Sequence, residues 1–186
     1  MNFDELILKR QSDRKYLPDA VAKEDILKCL EAARMSPSAC NSQPWKFIVV
    51  DDRAKLVEMA DAAEGLGMNG FAHGVPVMVA VVREKMNFSA RMGSLFKRKD
   101  YSMLDLGMAV ENFCLQAADQ GLGTCIMGWF DERRIARLLG GTSREKDTAA
   151  YSIRSSGRKD QTQGPQGYGG NIFMEFILMG RYGRRI

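Results

Sequence analysis

Apolar residues recur along this chain with two periods, and the periods alternate. From residue 23 to residue 35, Ile26, Leu27, Leu30 and Ala33 keep a spacing of three and four until Ser36-Pro37 interrupts it, which predicts a helix. Phe47 to Val50 form a clean apolar run closed by Asp51 and Asp52, the pattern of a buried strand. Helical spacing returns over residues 54–63 through Leu56, Met59 and Ala60. The β-branched run VPVMVAVV, residues 75–82, predicts a strand buried on both faces. Over residues 101–120, Leu104, Met108, Phe113, Leu115 and Ala118 leave little of a helix polar, so this long helix should be central or lie at an interface. Gly121 to Gly123 end it. TCIMGWF then reads as a third buried strand, and DERRIARLLG as a short helix with Asp131 as N-cap and Gly140 as C-cap. Before all of these, NFDELILK predicts a short helix with Asn2 as N-cap and Glu5 three residues on. Helices alternating with buried strands imply an α/β or α+β architecture, with helices covering a small sheet.

Composition narrows this picture in three ways. At 186 residues, 45% hydrophobic and 27% charged, the chain can build one domain with a sizeable core. No apolar run approaches the roughly 20 residues of a membrane span, and the first ten residues carry acids where a signal peptide is basic and then apolar. The expectation is a cytoplasmic protein with no membrane partner. Cys29, Cys40, Cys114 and Cys125 are scattered singly, and His73 is the chain's one histidine, so a zinc site is not expected and the thiols should be reduced and mostly buried.

Two polar islands carry the candidate chemistry. SPSACNSQPW, before the first strand, offers Ser36, Ser38, Asn41, Ser42 and Gln43 as uncharged donors and acceptors suited to a flat polar heterocycle. The same residues also serve as an ordinary turn that caps the preceding helix. In KRQSDRKY, residues 9–16, Arg10, Ser12 and Arg14 alternate, so an extended backbone puts both guanidiniums and the hydroxyl on one side, as in a phosphate clamp. A solvated charged turn after a helix has the same spacing.

Taken together, RQSDRKY near the N-terminus, EAARMSPSACNSQPWKFIVVDD, and GLGTCIMGWFDERRI closely resemble the nitroreductase family of FMN-dependent oxidoreductases, in that family's order over residues 1–146. The resemblance implies an α+β, three-layer fold and a homodimer formed through the long central helix, with FMN bound at the dimer interface. It implies that Arg10, Gln11, Ser12 and Arg14 belong to the cofactor's phosphate and ribityl end. Pro37, Ser38, Ala39 and Asn41 of the other subunit would line the isoalloxazine, with Gln43 nearby, and Met127 and Gly128 would supply backbone contacts. NADH or NADPH is the implied electron donor and a nitroaromatic, quinone or similar flat aromatic the acceptor. No catalytic side chain is implied.

The last 40 residues depart from that pattern. Residues 1–143 carry 19 basic and 19 acidic side chains, whereas residues 144–186 carry eight and four. Seven of the 18 glycines fall between Gly157 and Gly183, and SSGRKDQTQGPQGYGGN holds no aliphatic residue. The expected division is a flavin-binding domain over 1–146 and an atypical Gly-rich basic tail over 147–186, in which only IFMEFILMG, residues 172–180, can pair or pack. A shift of reading frame near the codons for Lys146 and Asp147 accounts for the change. The alternative to a working reductase is then a flavin-binding but catalytically impaired or non-functional product of the shifted gene, without the family's last buried strand unless IFMEFILMG takes its place. Tyr168 and Tyr182 among tail arginines form no recognition motif, so no nucleic-acid partner is expected.

Overall fold

The computed structural model describes residues 1–186 except 18, 65–66, 85, 98–100, 141–151, 158–171 and 181–186. Helix α1 (Phe3–Lys9) starts in a reciprocal capping box. The Asn2 side chain accepts from the Glu5 amide at 2.9 Å, and the Glu5 carboxylate accepts from the Asn2 amide at 3.0 Å. Helix α2 (Lys23–Arg34) follows, then strand β1 (Trp45–Val50) and helix α3 (Arg53–Ala63). Asp52, read from the sequence as a strand stop, also caps α3 by accepting from the Lys55 amide.

Strand β2 (Met78–Arg83) pairs antiparallel with β1, Trp45 opposite Arg83 through Val50 opposite Met78. It divides the core by strand periodicity. Val79 and Val81 join Phe47, Phe113 and the apolar sides of α2 and helix α5 (Tyr101–Asp119), while Met78, Ala80 and Val82 join α3 and helix α6 (Glu132–Leu138). Two helical layers therefore sandwich one sheet, and the fold is α+β. The predicted 101–120 helix is α5, and helix α4 (Phe88–Lys97) precedes it.

Strand β3 is shorter than TCIMGWF predicts and covers Gly123–Cys125 only. Beyond it the backbone finds other partners: the Trp129 carbonyl accepts from the Asn69 side-chain amide at 2.8 Å, and the Asp131 amide donates to the Ala62 carbonyl at 2.8 Å. The ends of α3 and its following turn thus replace a sheet ladder. Asp131 then caps α6, accepting from the Arg134 amide, and Gly140 leaves that helix at φ +83°, the left-handed geometry glycine accepts freely.

The sheet continues into the tail. Strand β5 (Ile172–Gly180) lies parallel to β2, Met78 opposite Glu175 through Arg83 opposite Gly180. On β5, strand β4 (Ser152–Gly157) pairs antiparallel from Ser152–Ile177 to Gly157–Ile172, and β4 also pairs antiparallel with β3. IFMEFILMG therefore forms a sheet strand, paired with β2 on one side and β4 on the other. The remaining residues of the Gly-rich stretch, 158–171, the arginines at 181, 184 and 185, and the codon positions 146 and 147 lie outside the described residues. Among the described residues, no helix is long and apolar enough to cross a membrane.

The thiols follow the packing. Cys29, Cys114 and Cys125 are buried and Cys40 is exposed. Burial pushes the Cys29 thiol up, with the nearby Cys114 adding to it, and pushes Cys114 up to about 12. In the native protein at most one thiol should therefore react with a colorimetric disulfide at pH 8, and four after denaturation. Because the unfolded thiols ionise near pH 9 and the folded ones do not, their contribution to stability should fall as pH rises past that value. Rapid modification of more than one native thiol would contradict this packing.

Candidate functional site

The two polar islands sit on different supports. The first, residues 10–14, is extended: Arg10 leaves α1 with φ −65° and ψ 123°, and Ser12 forms a parallel bridge to Thr124 of β3. The Asp13 amide donates to the Thr124 carbonyl at 2.9 Å, which fastens this arm to the sheet. Thr124 is itself buried, so the arm runs alongside the strand that leads to Met127 and Gly128. The bridge thus lays residues 10–14 alongside β3, the strand that runs on to the 127–128 segment.

Charge on the arm is partly engaged. Arg10 Nε lies 3.4 Å from a Glu111 carboxylate oxygen, and Gln11 donates to Asp13 at 2.9 Å. Arg14 is exposed, with one terminal nitrogen 3.4 Å from the Ser12 carbonyl and its guanidinium carbon 5.9 Å from the Phe71 ring centre. Phe71 stacks on Tyr16 at 6.4 Å, and the Tyr16 hydroxyl donates to the Asp13 carbonyl. A guanidinium carries five N–H donors, so both arginines keep outward-facing capacity after these contacts.

The second island is strained. Cys40, Asn41 and Gln43 have φ of +50°, +49° and +45°, left-handed backbone that non-glycine residues rarely adopt. Asn41 and Ser42 amides donate to Ser38 and Ala39 carbonyls, the Gln43 amide to Ser38 Oγ, and the Ala39 amide to Asp105. With these amides committed internally, what the loop turns outward is chiefly side chain: exposed Pro37 and Asn41, and the half-buried amide of Gln43. Such concentrated strain is held for a purpose more often than by accident.

Met127 is buried, while Gly128 and Trp129 are exposed. Asn69, also left-handed at φ +60°, reaches both the Ala63 and Trp129 carbonyls. It fixes the segment that follows Gly128. A cavity of about 260 Å³ between α2 and β1 counts Leu30, Arg34, Trp45 and Gln43 in its lining. His73 sits in a turn 2.8 Å from Glu64, and no cluster of three or more potential metal ligands exists among the described residues.

Sequence reasoning overlooked the supports. Asp105, Asn112 and Asn87 hold the strained loop, yet each looked like an ordinary polar residue within or beside a helix. Their signal was positional: Asp105 interrupts the apolar pattern of α5 and is only 3% exposed, whereas its neighbour Leu104 is 65% exposed.

A basic arm bridged to one strand of the α+β sandwich and an uncharged strained loop before another make up the candidate site. The Nitroreductase family profile matches residues 7–153, and the chain belongs to that family. An Archaeoglobus fulgidus relative with the provisional name NADH dehydrogenase/NAD(P)H nitroreductase is 32% identical over 155 residues, 82% of each chain. The major NAD(P)H-flavin oxidoreductase of Aliivibrio fischeri is 46% identical over a shorter stretch of 54 residues, 28% of this chain and 25% of that one. In fold, the chain is similar to an FMN-dependent nitroreductase from Clostridium difficile R20291, with a TM-score of 0.61 and 23% identity over 97% of this chain and 88% of that one.

Proposed function

We propose that this chain is an FMN-dependent oxidoreductase that takes electrons from NADH or NADPH and passes them to a nitroaromatic, quinone or similar flat acceptor, working as a homodimer. The Ser12–Thr124 bridge carries the reading, because it fastens the two-arginine arm to β3, the strand that runs on toward Met127 and Gly128. The residues fit the group. Arg10 and Arg14 supply forked donors suited to a phosphate, with the Ser12 hydroxyl between them in sequence. The exposed Gly128 backbone has no side chain to keep a planar ring away, and buried Met127 holds that backbone still. Pro37, Ser38, Ala39 and Asn41 of the second subunit complete the ring's surroundings, with the Gln43 amide beside them.

When bound, the flavin supplies the two-electron chemistry, and the protein's part is to hold, orient and exclude. The arm neutralises phosphate charge. The loop presents uncharged amide groups, which leave ring chemistry unbiased by a fixed ion. No acid or base from the chain is assigned a proton, in keeping with the absence of histidine from both islands and of any carboxylate from residues 36–45.

The dimer is supported by what the single chain leaves uncovered. Helix α1 has seven residues and none of them is buried, while Phe3, Ile7 and Leu8 are exposed together with Leu104 and Met108 of α5. So short a helix is not stable without packing. A second copy covering α1 and α5 supplies it.

The protein as purified should be yellow, elute at the dimer volume, release FMN on denaturation, and oxidise NADH when a quinone is added. Colourless monomer that takes up no FMN would sink the proposal. A second reading, a flavin-binding chain without turnover that arose by a frame shift, draws on the family match ending at residue 153 of 186. Bound FMN without quinone-dependent NADH oxidation would favour it.

A further inference from the structure

The strained loop is held from one side by a single stripe of α5. Asp105, Met108 and Asn112 follow one another at spacings of three and four, which places them on one face of the helix. Both Asp105 carboxylate oxygens lie within reach of the Ala39 amide, at 3.2 and 3.1 Å. The Ser36 hydroxyl donates to the Met108 carbonyl at 3.4 Å, and the Asn112 amide donates to Ser36 Oγ at 2.7 Å. Asp105 and Ser36 are both buried. On the far side, Asn87 ties the loop down twice: its backbone amide donates to Ser42 Oγ at 2.7 Å and its side chain to the Cys40 carbonyl at 2.9 Å.

We infer that Asp105 is a positioning residue for the flavin-facing loop, with Asn112 as its auxiliary. The inference rests on the flavin reading above. A buried carboxylate is costly to desolvate and is retained only where hydrogen bonds satisfy it. Here it accepts from the amide immediately before Cys40 and Asn41, the first two left-handed residues. Left-handed backbone at non-glycine positions relaxes unless its surroundings over-determine it. Anchors at Ser36 and Ala39 upstream, and at Cys40 and Ser42 downstream, do so. What Asp105 determines is the direction in which Asn41 and Gln43 present their side-chain amides, so it acts on the cofactor through the loop and not by contact.

Amide hydrogen exchange of residues 36–43 and FMN affinity should be measured together in the full chain, for the unaltered protein, Asp105→Ala, Asp105→Asn and Asn112→Ala. Removing the acceptor in Asp105→Ala should speed exchange of the loop and weaken FMN binding by about tenfold, the scale of one lost hydrogen bond to a charged group. Residues 78–82 of β2 should keep their protection, which separates a loosened loop from general destabilisation. Asp105→Asn keeps an acceptor opposite Ala39 and should restore both readouts nearly to the original. Asn112→Ala should move both in the same direction by a smaller factor and provides the comparison if Asp105→Ala does not fold. Unchanged loop exchange in Asp105→Ala, or in Asn112→Ala where only that variant folds, would overturn the inference. So would faster exchange with unaltered FMN affinity. Faster loop exchange in a protein whose unaltered form takes up no FMN would instead overturn the flavin reading on which the role depends.

Discussion

Ile177→Pro is expected to yield aggregated or unfolded protein, whereas Ile177→Val should fold. Ile177 lies opposite Ala80 of β2 and opposite Ser152 of β4, so its strand is paired on both sides at this point. Proline supplies no N–H to either neighbour, and its ring displaces the adjoining backbone. The orphaned partner alone costs about 1–3 kcal/mol. The larger loss follows from β2. Met78 through Val82 are all fully buried, between helices on both faces and strands on both edges. If β5 detaches, that apolar strand gains an open edge, which is a template for association with other chains. Against a total stability of about 5–15 kcal/mol for a domain, losing a central strand is not tolerated. Gel filtration and thermal melting of the two variants decide the matter. A proline variant that melts like the unaltered protein would mean that residues 172–180 contribute nothing to the folded sheet, and that the tail is dispensable after all.

The same strand shows where sequence reading reaches its limit. Patterns held where one chain's own packing decides the outcome: β2 alternates between two cores as its β-branched run implies, and Asn2 and Asp131 cap helices. They failed where the deciding partner is distant. TCIMGWF is apolar enough for a seven-residue strand, but Asn69 and Ala62 take up the backbone of Trp129 and Asp131, so the strand ends at Cys125 and only a single bridge residue, Ile126, follows. Helix α4 passed unnoticed although Phe88, Met92 and Leu95 keep helical spacing, because that apolar stripe faces outward and glycine and charged residues interrupt it. The candidate site was legible in its chemistry and not in its mechanics. Arginine alternation on an extended arm was readable from residues 10–14, yet the bridge that carries the arm to Thr124 depends on a contact more than a hundred residues away. Likewise the donors of the 36–43 loop were visible, but no local rule announces three left-handed residues without a glycine, since the hydrogen bonds that enforce them come from α5 and Asn87.

Phe113→Ala should be the most damaging truncation of the described core, lowering stability by about 3–5 kcal/mol, while Phe113→Leu should cost roughly 1.5 kcal/mol or less. Among the described residues Phe113 is the largest fully buried side chain, and it stacks on Phe47 with ring centres 6.0 Å apart and planes 12° from parallel. That pair joins the middle of α5 to the middle of β1. Removing one ring leaves a cavity between rigid elements, and close-packed surroundings collapse onto such a void only in part. For a chain of this size the melting temperature should drop by about 10 °C in the alanine variant. A functional consequence follows from the connection. The loop that carries Asn41 and Gln43 is strung between α2 and β1, and its anchors Asp105 and Asn112 lie on the same helix, α5, ahead of Phe113 in the chain. Loss of the ring contact therefore allows α5 to shift against β1 and strains both ends of the loop's support at once. FMN affinity should fall in Phe113→Ala even at temperatures where the variant remains folded by circular dichroism. If stability falls while affinity holds, the loop's geometry is fixed by its own hydrogen bonds and does not need the packing beneath it.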